Sequence, residues 1–153
     1  MKVALSLLTK DRQELTRQVL PQVTFNPAFD LHIVDASAAV WRPANKGGLN
    51  YYTFHANIRG GADAAIVFAL TMMLEHEARY DVVGLCENDV LLHDGWFDAT
   101  MALFEKGKAD GLAVGAVSAR AYDDRILIQR DGWAVMHNLG AGHVVYTRQA
   151  AEL

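Results

Sequence analysis

The sequence predicts an α/β domain: a Rossmann-like sheet with helices on both faces, parallel strands in its N-terminal part and a mixed C-terminal part. Three observations predict it. Val3–Leu8 and Asp81–Cys86 are apolar runs of the length expected for fully buried strands. A helical stretch separates the first run from a third, Leu31–Val34, giving the order strand, helix, strand that builds parallel sheets. The runs end in hydroxyl or acidic residues, with Thr9, Asp35 and Glu87 at their carboxyl ends.

Each element has its own local reason. After Val3–Leu8, the polar stretch Thr9-Lys10-Asp11-Arg12 reads as a loop. Asp11-x-x-Glu14 has the form of a capping box, followed by Leu15, Val19 and Val23 at helical spacing. Pro21 is expected to end or distort that helix. From Ser37 to Gly61 the pattern is irregular, with Pro43, Gly47-Gly48 and the aromatics Trp41, Tyr51, Tyr52 and Phe54. So long a connection is expected to be functional or to pack as a lid over the core.

Ala62, Ala65, Ile66, Ala69, Met72 and Met73 then predict a helix running to about Arg79. Past the Asp81–Cys86 strand, Trp96, Phe97, Met101 and Phe104 predict another helix, capped by Asp94 and ended at Gly107. Leu112–Ser118 reads as a further buried strand. The apolar groups at Ile126–Ile128, Trp133–Met136 and Val144–Tyr146 lack long helices between them, which favours antiparallel pairing.

Composition excludes several function classes. At 153 residues the chain is about one domain, expected to span 1–153 without an internal linker. Its 14 bases against 18 acids offer no basic surface for nucleic acid. Cys86, the single cysteine, excludes an intramolecular disulfide and a thiolate metal cluster, and it reads as a small core residue. No apolar stretch approaches the ~20 residues of a membrane span. The expected compartment is the cytoplasm.

The chemistry concentrates in Glu87-Asn88-Asp89, two carboxylates one residue apart at the end of a buried strand. In open α/β sheets, ligands bind outside the carboxyl ends of the strands. Two acids there can hold Mg²⁺ or Mn²⁺, and the cation can hold a phosphate. The plainer alternative is a solvated turn in which Asp89 and Asp94 open the next helix.

Four stretches in order carry a resemblance. They are Leu5-Ser6-Leu7-Leu8-Thr9-Lys10-Asp11-Arg12, His32-Ile33-Val34-Asp35-Ala36-Ser37, Asn57-Ile58-Arg59-Gly60-Gly61-Ala62 and Glu87-Asn88-Asp89-Val90. Together they resemble the nucleotide-binding half of a GT-A-type glycosyltransferase, most like the inverting family-2 group. The resemblance implies a nucleoside-diphosphate sugar as donor, a hydroxyl acceptor of unspecified identity, and Mn²⁺ or Mg²⁺ as cofactor. It implies that Thr9 and Arg12 border the nucleotide, that Asp35 accepts from base or ribose, and that Arg59 lies near base and diphosphate. Asp89 takes the main metal position of the family's D-x-D motif. Glu87 stands where the family has its first Asp, so it reaches the metal, a metal-bound water or the ribose.

A general base is not assigned by this resemblance. In the family it follows a glycine-rich segment like Asn138-Leu139-Gly140-Ala141-Gly142, and the expectation is that the base and acceptor segment lie beyond Leu153. Asp123, Asp124 and Asp131 are the acids available inside the chain, and His137 and His143 are candidates for an acceptor contact or a third metal position. Two other classes remain open: a nucleotidyltransferase, disfavoured by a first loop without glycine, and a non-catalytic nucleotide-sugar-binding module.

Overall fold

The structure is a computed structural model that describes residues 1–24, 28–39, 52–118, 126–130, 133–136 and 142–153. Among these residues the elements are, in order, β1 (Val3–Thr9), α1 (Gln13–Thr24), β2 (Asp30–Asp35), β3 (Tyr52–His55), α2 (Gly61–Glu75), β4 (Val82–Glu87), α3 (Trp96–Ala109), β5 (Ala116–Ser118), β6 (Ile126–Arg130), β7 (Trp133–Met136), β8 (His143–Thr147) and α4 (Arg148–Ala151). The main sheet has the order β3-β2-β1-β4-β8-β5, and β6 pairs with β7 separately. β1 pairs in parallel with both β2 and β4, and β2 in parallel with β3. β8 runs antiparallel between β4 and β5, so the C-terminal part of the sheet is mixed as expected.

β1 is buried along its whole length, and its side chains alternate between the two faces. Val3, Leu5 and Leu7 join a core with Val19, Leu20 and Val23 of α1 and Trp96 of α3. Ala4 and Leu8 join a second core with Ala65, Ala69 and Met73 of α2. Helices therefore cover both faces. The chain steps one way from β1 to β2 and the other way from β3 to β4. Crossovers of one hand then place α1 and α2 on opposite faces.

Several boundaries differ from those the sequence suggests. The stretch 37–61 is not wholly irregular, because Tyr52–His55 forms the edge strand β3. It is only four residues long and partly exposed, too short to show a period. Trp41, Pro43, Gly47, Gly48 and Tyr51 lie outside the described residues. The Asp11 capping box does not form. Asp11 and Arg12 adopt left-handed backbone (φ 52° and 49°), and the Asp11 carboxylate accepts from Ala38 N–H instead. Pro21 stands inside α1, which continues to Thr24. It lacks the N–H that would bond the carbonyl four residues back, and α1 ends within one turn of it.

α2 stops at Glu75, short of Arg79, because the chain turns at His76 and the Arg148 guanidinium takes the Leu74 carbonyl at 2.6 Å. α3 is entered from Gly95 (φ 77°) with no side-chain cap, so Asp94 does not cap it. It also runs past Gly107 to Ala109. Gly107 is not a stop signal but a contact point: a Cβ there would collide with Val114 Cγ2. β5 is confined to Ala116–Ser118, shorter than Leu112–Ser118.

Buried imidazoles mark both faces. His32 of β2 stacks on His55 of β3 at 5.8 Å and meets the edge of Tyr80, whose hydroxyl donates to Asp30 at 2.9 Å. Burial, with His55 and His76 adding to it and Asp30 opposing, holds His32 down at about 4. His143 of β8 packs edge-on against Trp96 at 5.1 Å, with neither ring nitrogen hydrogen-bonded. Burial lowers it to about 4 as well.

Both histidines bind a proton more readily when the chain is unfolded. Folding stability is then complete above about pH 6.5 and declines as pH falls toward about 4. Urea midpoints measured between pH 7 and 4.5 are expected to fall accordingly. His143→Phe keeps the contact with Trp96 while removing two unpaired polar atoms. It should raise the midpoint at pH 5 by the equivalent of about 1–3 kcal/mol and flatten the pH profile. An unchanged profile in that variant would show that His143 does not carry the linkage.

Candidate functional site

A crevice opens between the carboxyl ends of β1 and β4. From β1 the chain passes to β2 on one side; from β4 it passes through α3 to β5 on the other. The loops part at this point, which is where open α/β sheets bind ligands. The cavity measures about 340 Å³, within the range of small-molecule sites. Thr9, Lys10, Asp11 and Arg12 line one wall and Glu87, Asn88 and Asp89 the other. Ala36 after β2 and Ala62 and Ala65 from the start of α2 complete it.

The β1 wall is fixed from below. Asp35, 1% exposed at the end of β2, accepts on one carboxylate oxygen from Thr9 Oγ1 at 2.9 Å, Ser37 Oγ at 2.5 Å and Ser37 N–H at 3.2 Å. Ser37 Oγ also accepts the Asp11 N–H at 2.7 Å. The two strand ends are thus tied together by one buried carboxylate and one hydroxyl.

Asn88 ties the other wall to the first. It is buried, and its amide donates to the Thr16 hydroxyl at 2.9 Å and to the Asp11 carbonyl at 3.2 Å. The residue between the two acids therefore points inward, and the acids on either side are left to the crevice. Glu87 is held by its own backbone, whose N–H donates to the Gly142 carbonyl at 2.8 Å. Burial raises the Glu87 carboxyl above its ordinary value, and the neighbouring Asp89 raises it further. Asp89 is more exposed and receives Arg12 Nη1 at 2.8 Å.

Of the residues the sequence singles out, Thr9, Arg12, Glu87 and Asp89 meet in this crevice. Asp35 lies behind Thr9, in contact with it but buried. Arg59 stands apart: it lines a separate, more open groove with Ile58, Asp63, Val67 and Phe68. His143 is buried against Trp96. Asp123, Asp124, Asp131 and His137 lie outside the described residues.

Lys10 and Asn88 were not distinguished by sequence reasoning. Lys10 lines the crevice, and its Nζ lies 3.6 Å from where a Cβ on Gly61 would stand, at the start of α2. Its position directly after the strand residue Thr9 was the available sign. Nothing in the sequence sets Asn88 apart, because its partners Thr16 and Asp11 are more than 70 residues away.

Among the described residues no group of three or more His, Cys, Asp or Glu is placed to hold a metal ion. Glu87 and Asp89 offer two carboxylates. That donor set fits Mg²⁺ or Mn²⁺, which are usually held by one or two carboxylates together with phosphates and waters. No described helix is long and apolar enough to cross a membrane.

No family model matches the sequence, and no curated protein matches it. Solved structures do. A mannosyltransferase from Pyrobaculum calidifontis, PcManGT, solved in complex with GDP-Man and Mn²⁺, superposes with a TM-score of 0.59 at 18% identity. S. aureus TarS (residues 1–349) gives 0.56 at 12%. A 4-diphosphocytidyl-2C-methyl-D-erythritol synthase from Anaerococcus prevotii gives 0.54 at 9%. Each alignment covers 97% of this chain, but only 45%, 47% and 72% of the respective neighbours. The fold is GT-A-like. The chain spans less than half the length of the first two neighbours.

The Asn88 linkage gives a test of how the crevice is built. Asn88→Ala removes two hydrogen bonds and leaves the buried Thr16 hydroxyl without this donor. A loss of about 1–3 kcal/mol is expected in denaturant unfolding. Faster amide exchange should be confined to the loops after β1 and β4. Exchange that quickens evenly over the whole sheet would indicate a general packing role for Asn88 instead.

Proposed function

We propose that the crevice binds a nucleoside-diphosphate sugar, and that this domain is the donor-binding part of a glycosyltransferase resembling the inverting family-2 enzymes. The observation that carries the reading is the meeting of Thr9, Lys10 and Arg12 with Glu87 and Asp89 at the switch point between β1 and β4. One wall is cationic and suits phosphates; the other is a carboxylate pair. The likeness to a mannosyltransferase solved with GDP-Man and Mn²⁺ supports it.

In this reading Asp89 is the principal cation ligand and Glu87 its helper, through a bound water or the donor's ribose. A cation bound there supplies electrostatic stabilisation of the negative charge that develops on the departing nucleoside diphosphate. Lys10 and Arg12 add positive charge on the opposite wall. Thr9 and Asp35 hold the end of β1 rigid, so these groups keep their spacing as charge builds. The acceptor is a hydroxyl compound, activated by a base outside the residues placed in the crevice.

A nucleotidyltransferase is the second reading, favoured by the likeness to a diphosphocytidyl-methylerythritol synthase. Its phosphate loop would need the chain after β1 to wrap an anion. Here that loop has no glycine, although Asp11 and Arg12 take left-handed backbone without one. A non-catalytic donor-binding module is the third.

Calorimetric titration with GDP, UDP, their sugar conjugates and CTP, with and without Mn²⁺, separates these readings. Metal-dependent binding of a diphosphate sugar is expected. Asp89→Ala should abolish it, a loss above about 100-fold, with the thermal transition preserved. Glu87→Ala should weaken it less, by about tenfold. Preference for CTP over every diphosphate sugar would favour the second reading, and binding indifferent to Mn²⁺ would remove the metal role from both acids.

A further inference from the structure

Arg12 has a defined partner among the described residues, and that partner is the carboxylate assigned to the metal. Its Nη1 lies 2.8 Å from Asp89 Oδ2, bridging the loops after β1 and β4. The Arg12 side chain is 61% exposed and that of Asp89 40%. A pair so exposed contributes little and opens readily.

The backbone aims Arg12 independently of the pair. Asp11 and Arg12 are both left-handed, a conformation that is uncommon outside glycine. The Asp11 N–H donates to Ser37 Oγ and the Asp11 carbonyl accepts from the Asn88 amide, which holds the loop in place. Removing the guanidinium therefore leaves its platform intact.

We propose that Arg12 is a displaceable stand-in for the divalent cation, holding Asp89 until metal and nucleoside diphosphate arrive together. The proposal rests on the donor reading above. A cation that takes Asp89 must displace the guanidinium, which opposes metal binding without nucleotide. A diphosphate offers the released guanidinium new anionic oxygens. Metal and nucleotide then favour each other, and the coupling is reciprocal. Arg12 is thus a positioning residue that makes occupation of the site by metal conditional on the donor.

Mn²⁺ binding to the full chain, followed by the electron paramagnetic resonance of free Mn²⁺ with and without GDP or UDP, tests this. For Mn²⁺ alone, Arg12→Ala and Arg12→Gln should each bind about two- to fivefold more tightly than the wild type, the range an exposed pair allows. The enhancement of Mn²⁺ affinity by nucleotide should shrink in both. Lys106→Ala, an exposed charge removed from α3, should change neither quantity and controls for net charge. Unchanged or weaker Mn²⁺ affinity in both Arg12 variants overturns the proposal, as does an equal gain in Lys106→Ala. If the wild type binds nucleotide with Mn²⁺ while the Arg12 variants behave like it, only the stand-in role fails. If the wild type shows no Mn²⁺-linked nucleotide binding, the donor reading fails and this role with it.

Discussion

The parallel pairing of β1 with both β2 and β4 is the constraint on which the rest of this structure depends. Strands that run the same way end at the same edge. The loops after Thr9, Asp35 and Glu87 are therefore neighbours although the chain separates them widely. β1 is buried on both faces, so a one-residue slip in its register would exchange Val3, Leu5 and Leu7 with Ala4, Ser6 and Leu8 between two differently shaped cores. Gly84 reinforces the register: a Cβ there would meet Leu5 Cδ1 at 2.9 Å and Val145 Cγ2 at 3.3 Å. The spacing of the crevice walls follows from this packing before any polar contact is considered.

Polar contacts then refine what the sheet has placed. Asp35 and Asn88 are both buried: Asp35 holds Thr9 at the end of β1 to Ser37 after β2, and Asn88 holds Asp11 and Thr16 to the turn after β4. Satisfied buried groups of this kind are costly to disturb, because a partner left behind has no water to turn to. The rigid part of the site is thus made of residues held by buried hydrogen bonds. The exposed charges, Lys10, Arg12 and Asp89, remain free to rearrange.

The sequence made the sheet legible because buried parallel strands read as continuous apolar runs, and Val3–Leu8 and Asp81–Cys86 are of that kind. It was poor at boundaries set by distant residues. α2 ends where Arg148, 74 residues away, meets Leu74, and Gly107 stands inside α3 as the point where Val114 packs against the helix. β3 was hidden because four half-exposed residues carry no period. At the crevice, the acidic turn and Thr9 were visible as strand-end residues, whereas Arg59 was placed there by resemblance and lies instead along the outer side of α2.

The electrostatics of the crevice follow from this geometry. Glu87 and Asp89 face one cavity one residue apart, and like charges so placed oppose each other's ionisation. Burial raises the cost for Glu87 in particular. Such a pair needs a positive partner. The protein supplies one in Arg12, but on the more exposed of the two acids, where the interaction is weak. A buried lysine or a second arginine would have neutralised the pair more firmly and closed the site to any cation. Among the described residues the ion pair on these acids is a weak one, which leaves the crevice open to an ion that arrives with its own anionic ligand.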